Sequence, residues 1–168
     1  MKTAIIIGAS TGIGRATALA LSSKYNSISI TSFKHKEELL SLRDELMAKG
    51  CICYCETGDA GDMEFMEKFI QNTIDHLGSD IDLLINNAGI SYVGLINDMT
   101  AQDFDRTMKS NVYSVFNSCR LVVPHMIQHH KGHIINISSV WGNVGASCEV
   151  AYSCLLYTSP SPRDKRQS

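Results

Sequence analysis

At 168 residues, with 44% hydrophobic residues and a formal net charge of −2, the chain has room for one domain with a sizeable core and not for two. So small a charge gives no electrostatic grip on nucleic acid or on an anionic membrane surface. No apolar run reaches membrane-spanning length, and Met1-Lys2-Thr3 leads into a short apolar run rather than a signal peptide, so the expected address is the cytoplasm.

Short apolar runs alternate with longer amphipathic stretches, the signature of repeated βα units and a parallel sheet. Ala4 to Ile7 is the first strand and Gly8 to Gly14 a glycine-rich turn, after which Ile13, Ala16, Leu19 and Ala20 continue at helical spacing. Ile28 to Ile30 is a second strand, followed by a helix carrying Leu39, Leu42 and Leu46 and closed by Gly50. The third strand holds Cys51, Cys53 and Cys55, whose alternation places all three thiols on one face. Zinc sites draw paired ligands from turns, and no second pair follows at such spacing, so these read as free, packed thiols. A helix around Phe65 to Ile74 leads to a fourth strand, Asp82 to Ile85.

A long helix then starts at Thr100, with Asp103 three residues on in a capping-box pattern, and Phe104, Met108, Val112, Val115 and Cys119 are expected on its inward face. Gly132 ends that unit, and His133 to Ile137 is the fifth strand. His129, His130 and His133 cluster there beside Lys131, at a helix-to-strand junction that reads as a solvated loop rather than a metal site. The fold class expected is α/β, a doubly wound Rossmann-type parallel sheet of about five strands with flanking helices.

Beyond Ser153 the pattern stops. Cys154 to Asp164 shows neither helical nor strand periodicity, and Pro160 and Pro162 interrupt it. The tail resembles the in-frame translation of a transposase sequencing adapter, so residues 154–168 are read as non-native and 1–153 as the domain.

The chemistry concentrates in a few places. Gly8-Ala9-Ser10-Thr11-Gly12-Ile13-Gly14 lies between a strand and a helix, where glycines let a backbone approach a pyrophosphate and the helix N-terminus offers unpaired N–H groups. Together with Asn86-Asn87-Ala88-Gly89, Asn111, Ser139 and Tyr152, in that order, this loop resembles the short-chain dehydrogenase/reductases over residues 1 to 153. Ile7 departs from the threonine usual in the family before the first glycine.

The resemblance implies an NAD(P)-dependent oxidoreductase. Asp59 and Ala60 would border the adenine, and Asn86 to Gly89 the adenosine ribose. NAD-selective folds place an acidic residue about 20 residues past the loop, at the end of the second strand. Here Thr31 to Lys34 contains none, and Ser32 and Lys34, with His35 and Lys36, suit a 2′-phosphate, so NADP is favoured over NAD. Thr11 argues the other way, because NADP-preferring relatives often carry a basic residue there.

By the same resemblance Ser139 orients a substrate carbonyl, Tyr152 is the acid–base group and Asn111 holds a water for proton relay. A tyrosine with its ordinary pKa of about 10 is a poor acid at neutral pH without a neighbouring positive charge. The family supplies that charge from a lysine four residues on, one helical turn away. Position 156 is leucine. The adapter-like tail begins two residues before it, so one event accounts for both departures.

The family members most similar in these motifs are bacterial 3-oxoacyl-carrier-protein reductases. The stretch from Ser138 through Val150 also resembles the reductases of the 5-aminopentanone modification on translation elongation factor P. The expected substrate is therefore a ketone, small or carried by a protein, and the whole enzyme is expected to be a homotetramer. A non-catalytic dinucleotide-binding module is the alternative of another class, although such proteins tend to lose the serine or the tyrosine and both are here. Trp141 either contacts substrate or packs its own loop. The chain alone is expected to leave a sheet edge open, to lack the helix that would begin at Tyr152, and to express insolubly.

Overall fold

The computed structural model describes residues 2–78 and 80–157. Five strands form one parallel sheet: β1 (Thr3–Ile7), β2 (Ser27–Ser32), β3 (Ile52–Thr57), β4 (Ile81–Asn86) and β5 (His133–Asn136), in spatial order β3-β2-β1-β4-β5. The helices are α1 (Gly12–Leu21), α2 (Lys36–Ala48), α3 (Met63–Leu77), α4 (Ala101–Met108), α5 (Ser114–Gln128) and α6 (Val150–Tyr157).

Alternation along β1 divides the core in two. Ala4 and Ile6 face a cluster with Leu39, Leu42 and Leu46 of α2, while Ile5 and Ile7 face one with Met66 and Phe69 of α3 and Val122 and Met126 of α5. Cys51, Cys53 and Cys55 do share a face, packed on the α2 side, and no disulfide forms among the described cysteines. Burial pushes the Cys53 thiol up to about 12, so it is no nucleophile at neutral pH.

The expected long helix is interrupted. A π turn, Lys109–Tyr113, separates α4 from α5, while the Thr100–Asp103 capping box forms as its spacing predicts. The wider turn rotates the helix face that follows it. The buried residues are Thr107, Ser114, Asn117, Ser118, Val122 and Met126, whereas Phe104 and Val112 face outward and Met108, Val115 and Cys119 are only partly covered. The inward face read from apolar spacing is therefore corrected: it does not run as one stripe through α4 and α5, and only the part after Lys109 is shifted by the π turn.

Two expectations at the C-terminal side also change. The helix thought missing is present as α6, which begins before Tyr152 and continues through Cys154 to Tyr157. Leu155 is buried there, so tertiary contact makes a helix of a stretch with no periodicity of its own. Residues 158–168 of the adapter-like segment lie outside the described residues. The open edge is as expected: among the described residues β5 pairs only with β4, and all four of its residues are exposed.

Candidate active site

The chain runs outward from β1 to β3 on one side of the sheet and then crosses to β4 on the other. β1 and β4 are thus the neighbours at which the winding reverses, and ligands of such sheets bind beyond the strand ends at that point. The glycine turn leaves β1 there and Asn87-Ala88-Gly89 leaves β4.

The two segments are locked together. The Asn87 backbone N–H donates to the Ile7 carbonyl (3.0 Å), and its side-chain amide donates to the Gly8 carbonyl (2.8 Å). Gly8 and Ala9 both donate to the Thr31 carbonyl at the end of β2 (2.9 and 3.0 Å). The departure at Ile7 leaves this bonding in place, since only its backbone carbonyl takes part. At Gly14 a Cβ would stand 2.1 Å from the Gly8 carbonyl oxygen, so a side chain there would force the turn open. Thr11 precedes α1 in extended conformation and its side chain caps no N–H, which leaves the first amides of α1 for an anion. These features fit a dinucleotide pyrophosphate. Gly12, Ile13 and Gly14 open the helix, and Ala9 and Ser10, both buried, support the turn.

Beside the turn a pocket of about 190 Å³ opens between the ends of β2 and β3, its lining including Ser32, Phe33, Asp59, Ala60 and Ala88. Ser32 is buried, and its hydroxyl donates to the Lys34 carbonyl (2.6 Å). Lys34 lies over the Phe33 ring (5.7 Å). His35 takes a left-handed conformation at the start of α2, with Nδ1 3.8 Å from Glu38. Asp59 accepts from the Gly61 N–H (2.9 Å) and pairs with Lys109 (3.0 Å). Its carboxylate raises the Lys109 pKa above the ordinary value, so the ammonium is charged at neutral pH.

Asn86 and Asn87, adjacent in sequence, diverge in role. The Asn86 amide donates to Asn136 Oδ1 (2.9 Å) and its oxygen accepts from the Ser118 hydroxyl (2.7 Å), so this buried side chain joins β4, β5 and α5. Gly89 lies against Asn111. Asn111, within the π turn, accepts from the Ile90 N–H (3.1 Å) and donates to the Ile90 carbonyl (2.8 Å), fixing the loop beyond Gly89.

Ser139 caps the short 3₁₀ turn Val140–Gly142, its Oγ accepting from the Trp141 N–H (3.3 Å) with the hydroxyl proton left to donate. Helix α6, carrying Tyr152, packs on that turn and on α4. The Ser153 hydroxyl accepts from the Ala146 N–H (3.0 Å), tying α6 to the preceding loop, and Ser91 donates to Glu149 across from it. Ser139, Tyr152 and Asn111 thus stand on adjoining elements. Leu156, one turn past Tyr152, lies against Gly142 and offers only carbon. His129 (3.7 Å) and Lys131 (2.7 Å) both face Asp80, which makes the expected solvated loop a small ion-pair cluster.

Residues 2–154 match the short chain dehydrogenase family. The chain belongs to that family. Among curated relatives, the 3-oxoacyl-[acyl-carrier-protein] reductase FabG of Staphylococcus aureus (strain Mu50) is 33% identical over 151 residues, which cover 90% of this chain and 61% of the relative. The NADPH-dependent pterin aldehyde reductase of Arabidopsis thaliana is 33% identical over 152 residues, covering 90% of this chain and 62% of that protein. A crystal structure of a 3-ketoacyl-ACP reductase from Sinorhizobium meliloti 1021 superposes with a TM-score of 0.87 at 28% identity, over 92% of this chain and 61% of the other. This short chain dehydrogenase therefore spans about three-fifths of the length of these relatives.

Lys109, Arg106 and Phe33 line the same pocket beside the glycine turn, yet none was singled out by motif. Their one sequence signal is that Lys109 stands two residues before Asn111, at the helix turn facing the strand ends.

Proposed function

We propose that this chain is the cofactor-binding part of an NADPH-dependent ketone reductase of the 3-oxoacyl-carrier-protein reductase kind, and that the 168 residues alone do not turn over. The observation that carries the reading is the joint at the switch point, where Asn87 closes the glycine turn beneath the open N-terminus of α1. Residues 1–153 would form the NAD(P)-binding domain, with the segment from Cys154 foreign to it.

In this reading the amides of Gly8 to Gly14 hold the pyrophosphate, Asp59 and Ala60 border the adenine, and Asn87 to Gly89 pass under the ribose. Asn86 supports that stretch from inside. Lys34, with Ser32 once its hydroxyl turns outward, meets a 2′-phosphate. Bound nicotinamide would supply the hydride. Tyr152 would donate its phenolic proton to the carbonyl oxygen as charge develops there, and the Ser139 hydroxyl would donate a hydrogen bond to the same atom. Asn111 would keep the Ile90 loop in place and carry the proton-relay water. At Leu156 nothing charged stands by to favour the phenolate.

A second reading, reduction of the 5-aminopentanone on elongation factor P, is favoured by Glu149. It is the one charged side chain in the sequence from Ile134 to Leu156 and stands one turn before Tyr152. A carboxylate there suits a substrate bearing an amine better than one on a phosphate-bearing arm. The whole enzyme would be a cytoplasmic homotetramer.

The test is a fluorescence titration of the chain with NADPH and NADH, the chain kept in solution by a fused carrier protein. Saturable binding with NADPH tighter supports the reading, and binding of neither overturns it. Re-sequencing the source gene is expected to find a lysine codon four after that of Tyr152. Leucine confirmed there would end the catalytic part and leave a nucleotide-binding remnant.

A further inference from the structure

The adenine side of the pocket is bound to α4 and α5 more closely than binding a base requires. Three contacts make the joint, all between the loop after β3 and the region of the π turn. The Lys109 ammonium meets Asp59 at 3.0 Å. Asn117, buried on α5, donates to the Ala60 carbonyl (3.1 Å). A Cβ on Gly61 would come within 2.5 Å of the Lys109 carbonyl oxygen and 2.6 Å of its Cγ, so only glycine lets the lysine stem lie across the loop.

We propose that Lys109 is a cofactor-positioning residue: by pairing with Asp59 and lying across Gly61 it holds the carboxylate at the pocket rim, aimed at the amino edge of an adenine. The inference rests on the nucleotide site proposed above. Asp59 Oδ1 is engaged by Gly61 N–H and Oδ2 by Lys109, and each carboxylate oxygen keeps a second lone pair to accept from an adenine amine. Without the ammonium, only the Gly61 N–H would hold the carboxylate, and an uncompensated negative charge would stand in a pocket meant for a polyanion. The ligand class is an adenosine nucleotide, and the effect is confined to its adenosine half, because Lys109 lies at the adenine end of the site.

The experiment measures dissociation constants of the carrier-fused full chain for adenosine 2′,5′-bisphosphate and for reduced nicotinamide mononucleotide. Lys109→Met is expected to weaken the adenosine ligand roughly two- to fivefold, the size of a part-exposed ion pair, and to leave the nicotinamide ligand unchanged. Lys109→Arg should restore most of the loss. Lys109→Met placed on Asp59→Asn should add nothing to the loss that Asp59→Asn causes alone. Equal weakening of both ligands, or a fall in the ligand-free melting temperature that accounts for the loss, would make Lys109 merely structural and overturn the proposal. So would unchanged adenosine binding in Lys109→Met. If the unmutated chain binds neither ligand, the nucleotide site itself fails, a result distinct from any of these.

Discussion

β2 and β5 each hold two isoleucines, yet every residue of β2 is buried and every residue of β5 is exposed. β2 runs between β1 and β3 with helices over both faces, and even its Ser29 finds a buried partner in Thr73 (2.7 Å). Among the described residues β5 has one neighbour, and its Ile134 and Ile135, with Ile137 just beyond it, are left 37–46% exposed. Hydrophobicity offers burial, but neighbours supply it. The β1–β3 half is thus packed on both faces, whereas β5, which leads to Ser139, carries exposed apolar surface.

The strongest way to break this contrast is to cover that surface. A chimera of residues 1–153 followed by the remaining part of the Staphylococcus aureus relative should show NADPH-dependent ketone reduction. Its Tyr152→Phe variant should lose about 10²- to 10⁴-fold in kcat, read from NADPH absorbance. An active Tyr152→Phe chimera would remove Tyr152 from the mechanism.

Core substitutions come next. Phe69→Ala, in the fully buried cluster under α3, should cost about 3–5 kcal/mol in denaturant unfolding, whereas Ile135→Ala on β5 should stay within about 0.5 kcal/mol. Comparable costs would mean that β5 is covered in solution. A related test places a charge on the edge: Ile135→Lys should slow the association of the chain, followed by light scattering, because an unpaired apolar edge templates further strands.

The smallest effect is electrostatic. Lys131 holds the Asp80 carboxyl below its ordinary value of 3.8, and the same ammonium reaches Asp82 (3.1 Å), clamping the base of β5 to β4. A depressed carboxyl contributes its stability above its unfolded value and loses it as pH falls through the lower folded value. Acidification below about pH 4 should therefore loosen β5 before the β1–β3 half. Trp141, the one tryptophan and just past β5, reports this by fluorescence. Far-UV circular dichroism follows the whole fold, and coincident transitions would deny the separate loosening.

Much of the architecture was legible in the chain. Each of the five strands lies where its apolar run stood, and the capping box at Thr100 formed as its spacing required. The glycine turn and the Asn86–Gly89 stretch, each legible as a motif, meet at the switch point. The π turn was not legible, because no residue type announces it, and neither was the outward placement of Phe104 before it and Val112 within it. Nor was α6 through Cys154 to Leu156, since its helicity comes from packing on the 3₁₀ turn and α4 rather than from periodicity.

By itself, then, the sequence determined the local chemistry: strands from apolar runs, a turn where glycines must lie against backbone, and a leucine where the family places a charge. Only the tertiary structure decided which polar groups remain for a ligand. It turned Asn86 inward onto Ser118 and Asn136, left the amides of α1 uncapped, and set Lys109 against Asp59 from fifty residues along the chain. Local pattern depends on neighbours in sequence, whereas the pairing of a polar group depends on whatever the fold brings within hydrogen-bonding reach.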